Sequence, residues 1–145
     1  ARAVTLVIPA RIPPHKELTP GSPEPSERLL MTMLAFSSEP GVEVSDMELH
    51  RSGKSYTVDT VRELRDCNPD AELYLVVGTD MLTTFEQWHD YRQLLAQVTD
   101  FLAFIDRQIT VGRESTLSYH PAPKNSLFVL HVYSMHMSVT CQYQF

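Results

Sequence analysis

The sequence predicts an α/β fold with a mostly parallel sheet flanked by helices. Two apolar runs, at residues 4–8 and 73–77, are typical of strands that are buried on both faces. Apolar residues with helical spacing follow the first run, at residues 29–34, and precede the second, at residues 58–64. Because strands that alternate with helices form parallel sheets, we expect residues 1–145 to make a single domain of this class.

Turn-forming residues separate the other predicted elements. Residues 21–26 contain two prolines and precede the first helix, for which Ser26 is a candidate N-cap. The sequence Glu-Pro-Gly at residues 39–41 ends that helix, and residues 42–47 alternate like a half-buried strand. The pattern further predicts short helices at residues 81–85 and 91–98 and a strand at residues 127–133. Residues 101–105 form an apolar run, residues 106–125 carry little readable pattern, and no convincing helix is found at residues 134–145.

Composition narrows the class of function. The chain is 43% hydrophobic and 21% charged, with a formal charge of −6, which is typical of a soluble globular protein rather than a basic nucleic-acid binder. Local positive groups must therefore hold any anionic ligand, which favours a small phosphorylated metabolite over a polymer. The two cysteines have neither disulfide nor metal spacing and favour a cytoplasmic protein, and no apolar run approaches the roughly 20 residues of a membrane span.

The loop after the first predicted strand is rigid and rich in hydrogen-bond donors. Residues 9–16 read Pro-Ala-Arg-Ile-Pro-Pro-His-Lys, so proline stiffens the loop while Arg11, His15 and Lys16 supply up to three cationic groups. Ligands of open parallel sheets bind at the carboxyl ends of the strands, which is where this loop begins. The loop is therefore a candidate phosphate site, and a surface turn with incidental charges is the alternative.

A second loop is expected at the same edge of the sheet. Gly78 and Asp80 follow the strand at residues 73–77, so the Asp80 carboxylate should project from its carboxyl end. Gly78 allows a ligand to approach the backbone closely, and Asp80 can accept hydrogen bonds from sugar hydroxyls or help to order a metal-bound phosphate. The alternative for Asp80 is a cap on the next helix.

Three polar residues, Ser55, Tyr56 and Thr57, stand at the predicted start of the second helix. Unpaired N–H groups and the helix dipole attract anions to such a position, and the nearby Arg51 and Lys54 strengthen that attraction. The sequence therefore predicts a carboxylate or phosphate site here. Simple N-capping by Ser55 or Thr57 is the alternative.

Trp88 is the only tryptophan and lies eight residues after Asp80. Its indole offers a flat apolar face and an N–H group, which suits a heteroaromatic ligand, while core or rim packing is the alternative. Asp46 and Glu48 could act as paired carboxylates, but alternation along a strand would place both on one solvated face. The six histidines show no metal-ligand spacing, and no motif indicates covalent catalysis.

Taken together, these segments resemble the bacterial nicotinate-mononucleotide adenylyltransferases. The resemblance covers roughly residues 4–105 and rests on Ile-Pro-Ala-Arg-Ile-Pro-Pro-His-Lys at 8–16, Glu-Arg-Leu at 27–29, Gly-Lys-Ser-Tyr-Thr-Val-Asp-Thr at 53–60, and Val-Gly-Thr-Asp-Met-Leu at 77–82 with Phe85, Trp88 and Tyr91. It implies a Rossmann-like nucleotidyltransferase fold. It also implies transfer of the adenylyl group of ATP to nicotinate mononucleotide in NAD biosynthesis, with release of pyrophosphate and with Mg²⁺ accompanying the ATP.

The resemblance implies roles for single residues. Thr57 and the backbone near Trp88 would hold the nicotinate carboxylate while the indole stacks on the pyridine ring. Lys16, with His15 and Arg11, would lie near the phosphates, and Asp80 near a ribose or the metal-bound phosphates. The candidate substrate-binding residues are thus Arg11, His15, Lys16, Ser55, Tyr56, Thr57, Gly78, Asp80 and Trp88.

Two segments depart from the family. The family's G-G-[ST]-F-[DN]-P-x-H-x-G-H segment, with its first, central strand and its phosphate-binding histidines, has no match in this sequence, so no catalytic residue is assigned and two exposed strand edges are expected. The family's I-S-S-T-x-[IV]-R is matched only partly at residues 137–143. Ser138 and Thr140 remain ATP-binding candidates there, but Tyr143 replaces the arginine.

The sequence leaves more than one function open. The leading hypothesis is an adenylyltransferase whose chain is incomplete at its amino end, and the alternative is a catalytically inactive module that binds pyridine nucleotides. A transferase of the same fold with another substrate is disfavoured by residues 53–60 and Trp88. The expected partners are ATP and nicotinate mononucleotide, without nucleic acid or membrane, and a homo-oligomer is compatible with the sequence.

Overall fold

The computed structural model describes residues 3–15, 17–78, 81, 83–105, 108–111 and 126–132. These residues form a six-stranded sheet with helices packed on both of its faces. The elements in chain order are β1 Val4–Pro9, α1 Pro25–Ala35, β2 Val42–Val44, a 3-10 turn at Met47–His50, α2 Thr57–Cys67, β3 Glu72–Gly78, a 3-10 turn at Phe85–Gln87, α3 Tyr91–Gln97, β4 Asp100–Ile105, β5 Gln108–Val111 and β6 Ser126–Val132.

The sheet is mostly parallel, as the alternation of strands and helices predicts. Its strand order is β2-β1-β6-β3-β4-β5, and only β5 runs antiparallel to its neighbour. The predicted α/β class is therefore confirmed. The hairpin from β4 to β5 has no counterpart in the prediction, because residues 106–125 show little readable pattern. None of the described helices combines the length and apolar character needed to cross a membrane.

The position of β6 corrects one expectation. This strand lies between β1 and β3 and pairs in parallel with both, so that Leu130 is the register partner of Val7 on one side and of Val76 on the other. The expectation of two exposed strand edges at the place of a missing central strand is therefore wrong, because β6 fills that place. The apolar sequence of β6, Ser-Leu-Phe-Val-Leu-His-Val, has the near-continuous hydrophobic character of a strand buried inside a parallel sheet.

The main hydrophobic core lies between the sheet and the helices α2 and α3. Alternate side chains of β3 point into it, and so does one face of α2, as the helical spacing predicts. Its buried members are Ile8, Val58, Val61, Leu64, Leu73, Leu75, Val77, Trp88 and Leu94. A smaller cluster around Val7 and Val76 occupies the opposite face of the sheet, beside the end of α1.

Helix α1 presents most of its apolar residues to solvent. Leu30, Met33 and Leu34 are all exposed, Leu34 to 67%, whereas Arg28 and Thr32 are the buried residues of the helix. The helical spacing at residues 29–34 thus predicts the helix correctly but does not identify its buried face. Arg28 points inward because its guanidinium donates hydrogen bonds to the loop after β1.

The start of α1 also differs from the prediction. The N-cap is Glu24 rather than Ser26, because Pro25 occupies the first helical position. Proline there supplies the φ angle of a helix and lacks an N–H group that would in any case be unpaired. The Glu27 carboxylate accepts the N–H of Glu24 at 2.8 Å, which closes the first turn.

We expect Ile8→Val to lower the free energy of unfolding by about 0.5–1.5 kcal/mol, because Ile8 is fully buried and the shorter side chain leaves a small void. The exposed Leu34→Ala is the control and should change that free energy by no more than about 0.5 kcal/mol. Chemical denaturation monitored by circular dichroism measures both values. Equal effects of the two substitutions would contradict the assignment of the core.

Candidate functional site

The carboxyl ends of β1 and β3 lie on one edge of the sheet. Both strands run parallel to β6, which separates them, so their ends at Pro9 and Gly78 are about 9–10 Å apart at the usual strand spacing. The loop that begins at Ala10 therefore leaves the sheet at the edge where β3 ends, which agrees with the prediction that the two strands end together. Four predicted site residues lie outside the described residues, namely Lys16, Asp80, Ser138 and Thr140.

Ser55 fastens the loop after β1 to the start of α2. Its hydroxyl oxygen accepts the N–H of Arg11 at 3.0 Å and that of Ile12 at 3.4 Å. The N–H of Ser55 in turn donates to the carbonyl of Ile12 at 2.9 Å. Because Ser55 is only 3% exposed and uses its side chain for these two bonds, it does not cap α2, whose N-cap residue is Tyr56.

Ser55→Ala should lower the free energy of unfolding by about 1–3 kcal/mol, because two loop N–H groups would lose their acceptor in a buried place. The exposed neighbour Ser52 provides the control, and Ser52→Ala should leave stability within about 0.5 kcal/mol of the original chain. Urea denaturation of both variants checks this. Retention of full stability by Ser55→Ala would show that the serine does not hold the loop.

Trp88 lies in the core and also touches the loop. It is 5% exposed, packs in the main core, and its ring centroid is 5.1 Å from that of Phe85. The His15 ring, from the loop after β1, lies 5.8 Å away at an angle of 34°. The indole Nε1 is buried and has no hydrogen-bond partner among the described residues. Trp88 therefore both packs in the core and contacts the loop at the carboxyl edge of the sheet.

A second ring contact joins α2 to the Trp88 segment. Tyr56, directly before the first residue of α2, stacks on His89 with 4.2 Å between the ring centroids and an angle of 28°. With the Ser55 hydrogen bonds and the contact of His15 with Trp88, this stack links three chain segments. The loop after β1, the start of α2 and the Trp88 segment thus form one continuous rim.

One charged side chain of the rim, Arg11, already bonds to another part of the protein. Arg11 donates from Nη1 to the carbonyl oxygen of Arg51, which turns its guanidinium toward the loop before α2. Burial, and to a smaller extent the positive charge of Lys54, lower the pKa of His15 below its ordinary value. This shift favours the neutral form of the His15 imidazole, whose ring lies against the Trp88 indole.

Sequence reasoning missed a buried polar network behind the rim. Glu48 is fully buried and accepts a hydrogen bond from the Thr60 hydroxyl at 2.5 Å. The same hydroxyl accepts a bond at 2.7 Å from Arg51, which also pairs with Glu63. The network holds Arg51, and through its carbonyl it holds Arg11 in place.

The placement of Asp46 and Glu48 on one solvated face is wrong. Strand β2 ends at Val44, and residues 47–50 turn into a 3-10 helix that sends Glu48 inward. Asp46 stays exposed and accepts a bond from His50 at 2.9 Å, which lowers the pKa of Asp46. The only signal for this network in the sequence is that Glu48 lies shortly before the hydroxyl-bearing residues at the start of α2.

The described residues bring together no group of three or more histidine, cysteine, aspartate or glutamate side chains that could hold a metal ion. The rim instead combines an aromatic surface, the amino end of a helix and a stiff loop. Such a combination can hold a flat ring that carries an anionic group. Stacking would position the ring, and the helix end would attract the anion.

Comparison with known proteins shows which sequences this chain resembles. A family model described as cytidylyltransferase-like matches residues 1–125. A probable nicotinate-nucleotide adenylyltransferase of Oceanobacillus iheyensis is 44% identical over 92 residues, which are 63% of this chain and 47% of that protein. Proteins with the same description from Marinobacter nauticus and Citrifermentans bemidjiense are 39% and 44% identical, over 61% and 60% of this chain and 40% of each relative. The chain spans less than half the length of these relatives.

Proposed function

Because the chain belongs to the cytidylyltransferase-like family, we propose that its rim is the pyridine-nucleotide site of a nicotinate-nucleotide adenylyltransferase. The proposed reaction transfers the adenylyl group of ATP to nicotinate mononucleotide and releases pyrophosphate. The relatives carry the name of this activity, and they match about three fifths of this chain. The proposal includes a single domain over residues 1–145 and a cytoplasmic setting.

One observation carries the proposal, namely that the start of α2 and Trp88 meet at the same rim. The nicotinate carboxylate would lie at the amino end of α2, near Thr57, where helix N–H groups and the dipole favour an anion. The pyridine ring would stack on the indole. His15 now lies against that indole but is itself exposed, so a ligand ring reaches Trp88 when the imidazole moves aside.

The phosphate end of the substrate is assigned to the loop after β1. We assign Lys16 and Arg11 to the phosphates. Asp80, with Gly78 beside it, is assigned to a ribose or to the metal-bound phosphates. Ser138 and Thr140 are proposed to contact ATP. In the reaction, an oxygen of the mononucleotide 5′-phosphate attacks the α-phosphorus of ATP in line, the bond to the bridging oxygen breaks, and pyrophosphate leaves with that oxygen. Positioning and charge stabilisation supply the catalysis.

Magnesium belongs to the proposal as the companion of ATP. No metal-holding group of side chains occurs among the described residues, so the phosphates of the nucleotide would supply the ligands that the ion needs. Magnesium bound to ATP neutralises phosphate charge and stabilises the leaving pyrophosphate. We assign no protein residue as its ligand.

Isothermal titration calorimetry with nicotinate mononucleotide tests the site, and nicotinamide mononucleotide is the matched control ligand. The two differ only in a carboxylate or an amide, so we expect at least tenfold tighter binding of the nicotinate form, the factor that corresponds to about 1.4 kcal/mol. A pyrophosphate-release assay with ATP then separates the two remaining functions. Release that requires both substrates identifies a transferase, whereas binding without release identifies an inactive binding module. Absence of nicotinate mononucleotide binding would refute both.

A further inference from the structure

Arg28 is a buried arginine that connects α1 to the loop after β1. It is 6% exposed and donates from Nη1 to the carbonyl of Pro23 at 2.6 Å. Its Nη2 donates to the carbonyls of Ala10 at 2.7 Å and Arg11 at 2.8 Å. One guanidinium thus ties the entrance of α1 to the first two residues of the loop.

Burial of this cation has to be offset by its bonds. Burial lowers the pKa of Arg28, and the charge of Glu24 opposes that shift in part. No carboxylate within the described part of the chain lies at salt-bridge distance from the guanidinium, so backbone carbonyls are its main partners. A guanidinium keeps its proton under these conditions, and its planar fork can bond several acceptors at once.

The same loop residues are held from the opposite side by Ser55. The carbonyls of Ala10 and Arg11 face Arg28, while the N–H groups of Arg11 and Ile12 face the Ser55 hydroxyl. The backbone polar groups of this part of the loop are therefore bonded on both sides. Three residues further on, the loop carries His15 to its contact with Trp88.

We propose that Arg28 is a positioning residue of the pyridine-nucleotide site, which fixes the loop that carries Arg11 and His15 relative to Trp88. The proposal rests on the proposed function for its ligand and on the three carbonyl bonds for its mechanism. Arg28 acts through the loop backbone. Its side chain is enclosed by that backbone and needs no contact with the substrate.

Arg28→Lys keeps the charge but offers a single ammonium group, which cannot reproduce the fork between Pro23 and the loop. We expect faster hydrogen exchange at the amides of Arg11 and Ile12. We also expect altered emission of Trp88, since the only tryptophan of the chain touches this loop. Affinity for nicotinate mononucleotide should fall by about ten- to a hundredfold, as for a misplaced binding group.

Arg65→Lys is the matched control. Arg65 also donates to two backbone carbonyls, those of Ala71 and Gln97, but it lies where β3 begins, at the opposite edge of the sheet. This variant should lose stability while the exchange at Arg11 and Ile12, the Trp88 emission and the affinity stay as in the original chain. If Arg65→Lys changed all three readouts as Arg28→Lys does, the effect of Arg28 would be a general loss of stability, and the proposal would be overturned.

The arms of this experiment separate the two proposals. If the original chain binds no nicotinate mononucleotide, the proposed function fails, while the exchange and emission data still decide whether Arg28 fixes the loop. If the original chain binds and Arg28→Lys leaves exchange, emission and affinity unchanged, the role of Arg28 is refuted and the proposed function stands. Should Arg28→Lys not fold, Ser55→Ala releases the same loop residues from their other side and should give the same three changes; unchanged values there also refute the proposal.

Discussion

Replacing Trp88 with alanine is expected to abolish measurable binding of nicotinate mononucleotide and to lower the free energy of unfolding by about 3–5 kcal/mol. The stability loss follows from removing a large, 5% exposed side chain from the main core. The loss of binding follows from removing the flat surface on which the pyridine ring would stack. Chemical denaturation measures the first effect and calorimetry the second.

A control must separate these two effects of the Trp88 substitution. Leu94 is fully buried in the same core, on α3, so Leu94→Ala should cost about 2–5 kcal/mol of stability without removing the indole. We expect Leu94→Ala to bind nicotinate mononucleotide as the original chain does, and Trp88→Phe to retain part of the affinity. Binding by Trp88→Ala at the original strength would exclude the indole from the site.

Thr57→Val is expected to weaken nicotinate mononucleotide binding by about 10- to 100-fold. Thr57 is the first residue of α2 and is buried, so its hydroxyl would make a hydrogen bond to the ligand carboxylate in a place shielded from water. A hydrogen bond to a charged group contributes about 1.5–3 kcal/mol, and valine keeps the shape of threonine while removing the hydroxyl.

The control for Thr57→Val is a second ligand, nicotinamide mononucleotide, tested on the same variant. Nicotinamide mononucleotide lacks the carboxylate, so its weaker binding should change by less than about threefold in the same variant. Competition calorimetry with both ligands measures the difference. Equal losses for the two ligands would show that Thr57 supports the fold of the site rather than the recognition of the anion.

The site could be predicted to the extent that it depends on parallel strands. The apolar runs that form β1 and β3 place their carboxyl ends on one edge, and this rule brings the loop after β1 to the edge where β3 ends. Trp88 is a candidate because of its chemistry. Trp88 lies both in the core and at the rim, and the spacing of residues along the sequence does not predict the packing that places it there.

Other features lay outside the reach of periodicity because they depend on partners far along the chain. β6 takes its place between β1 and β3 by pairing with strands that are distant in the sequence, as in the pairs Val4 with Leu127 and Glu72 with Ser126. Arg28 faces inward on a helix whose Leu30 and Leu34 are exposed, since its guanidinium bonds three carbonyls of the neighbouring loops. Glu48 is buried because Thr60 supplies a hydroxyl from α2. Arg28 and Glu48 both belong to hydrogen-bond networks that reach the loop after β1, so these two exceptions to the hydrophobic pattern lie close to the candidate site.

A crystal structure of this chain with nicotinate mononucleotide tests the joint recognition of ring and carboxylate most directly. We predict that the pyridine ring lies on the Trp88 indole in place of the His15 imidazole, with the carboxylate at the amino end of α2 beside Thr57 and the phosphate toward the loop that Arg28 and Ser55 hold. A nucleotide bound away from Trp88, or one whose carboxylate points away from α2, would contradict it.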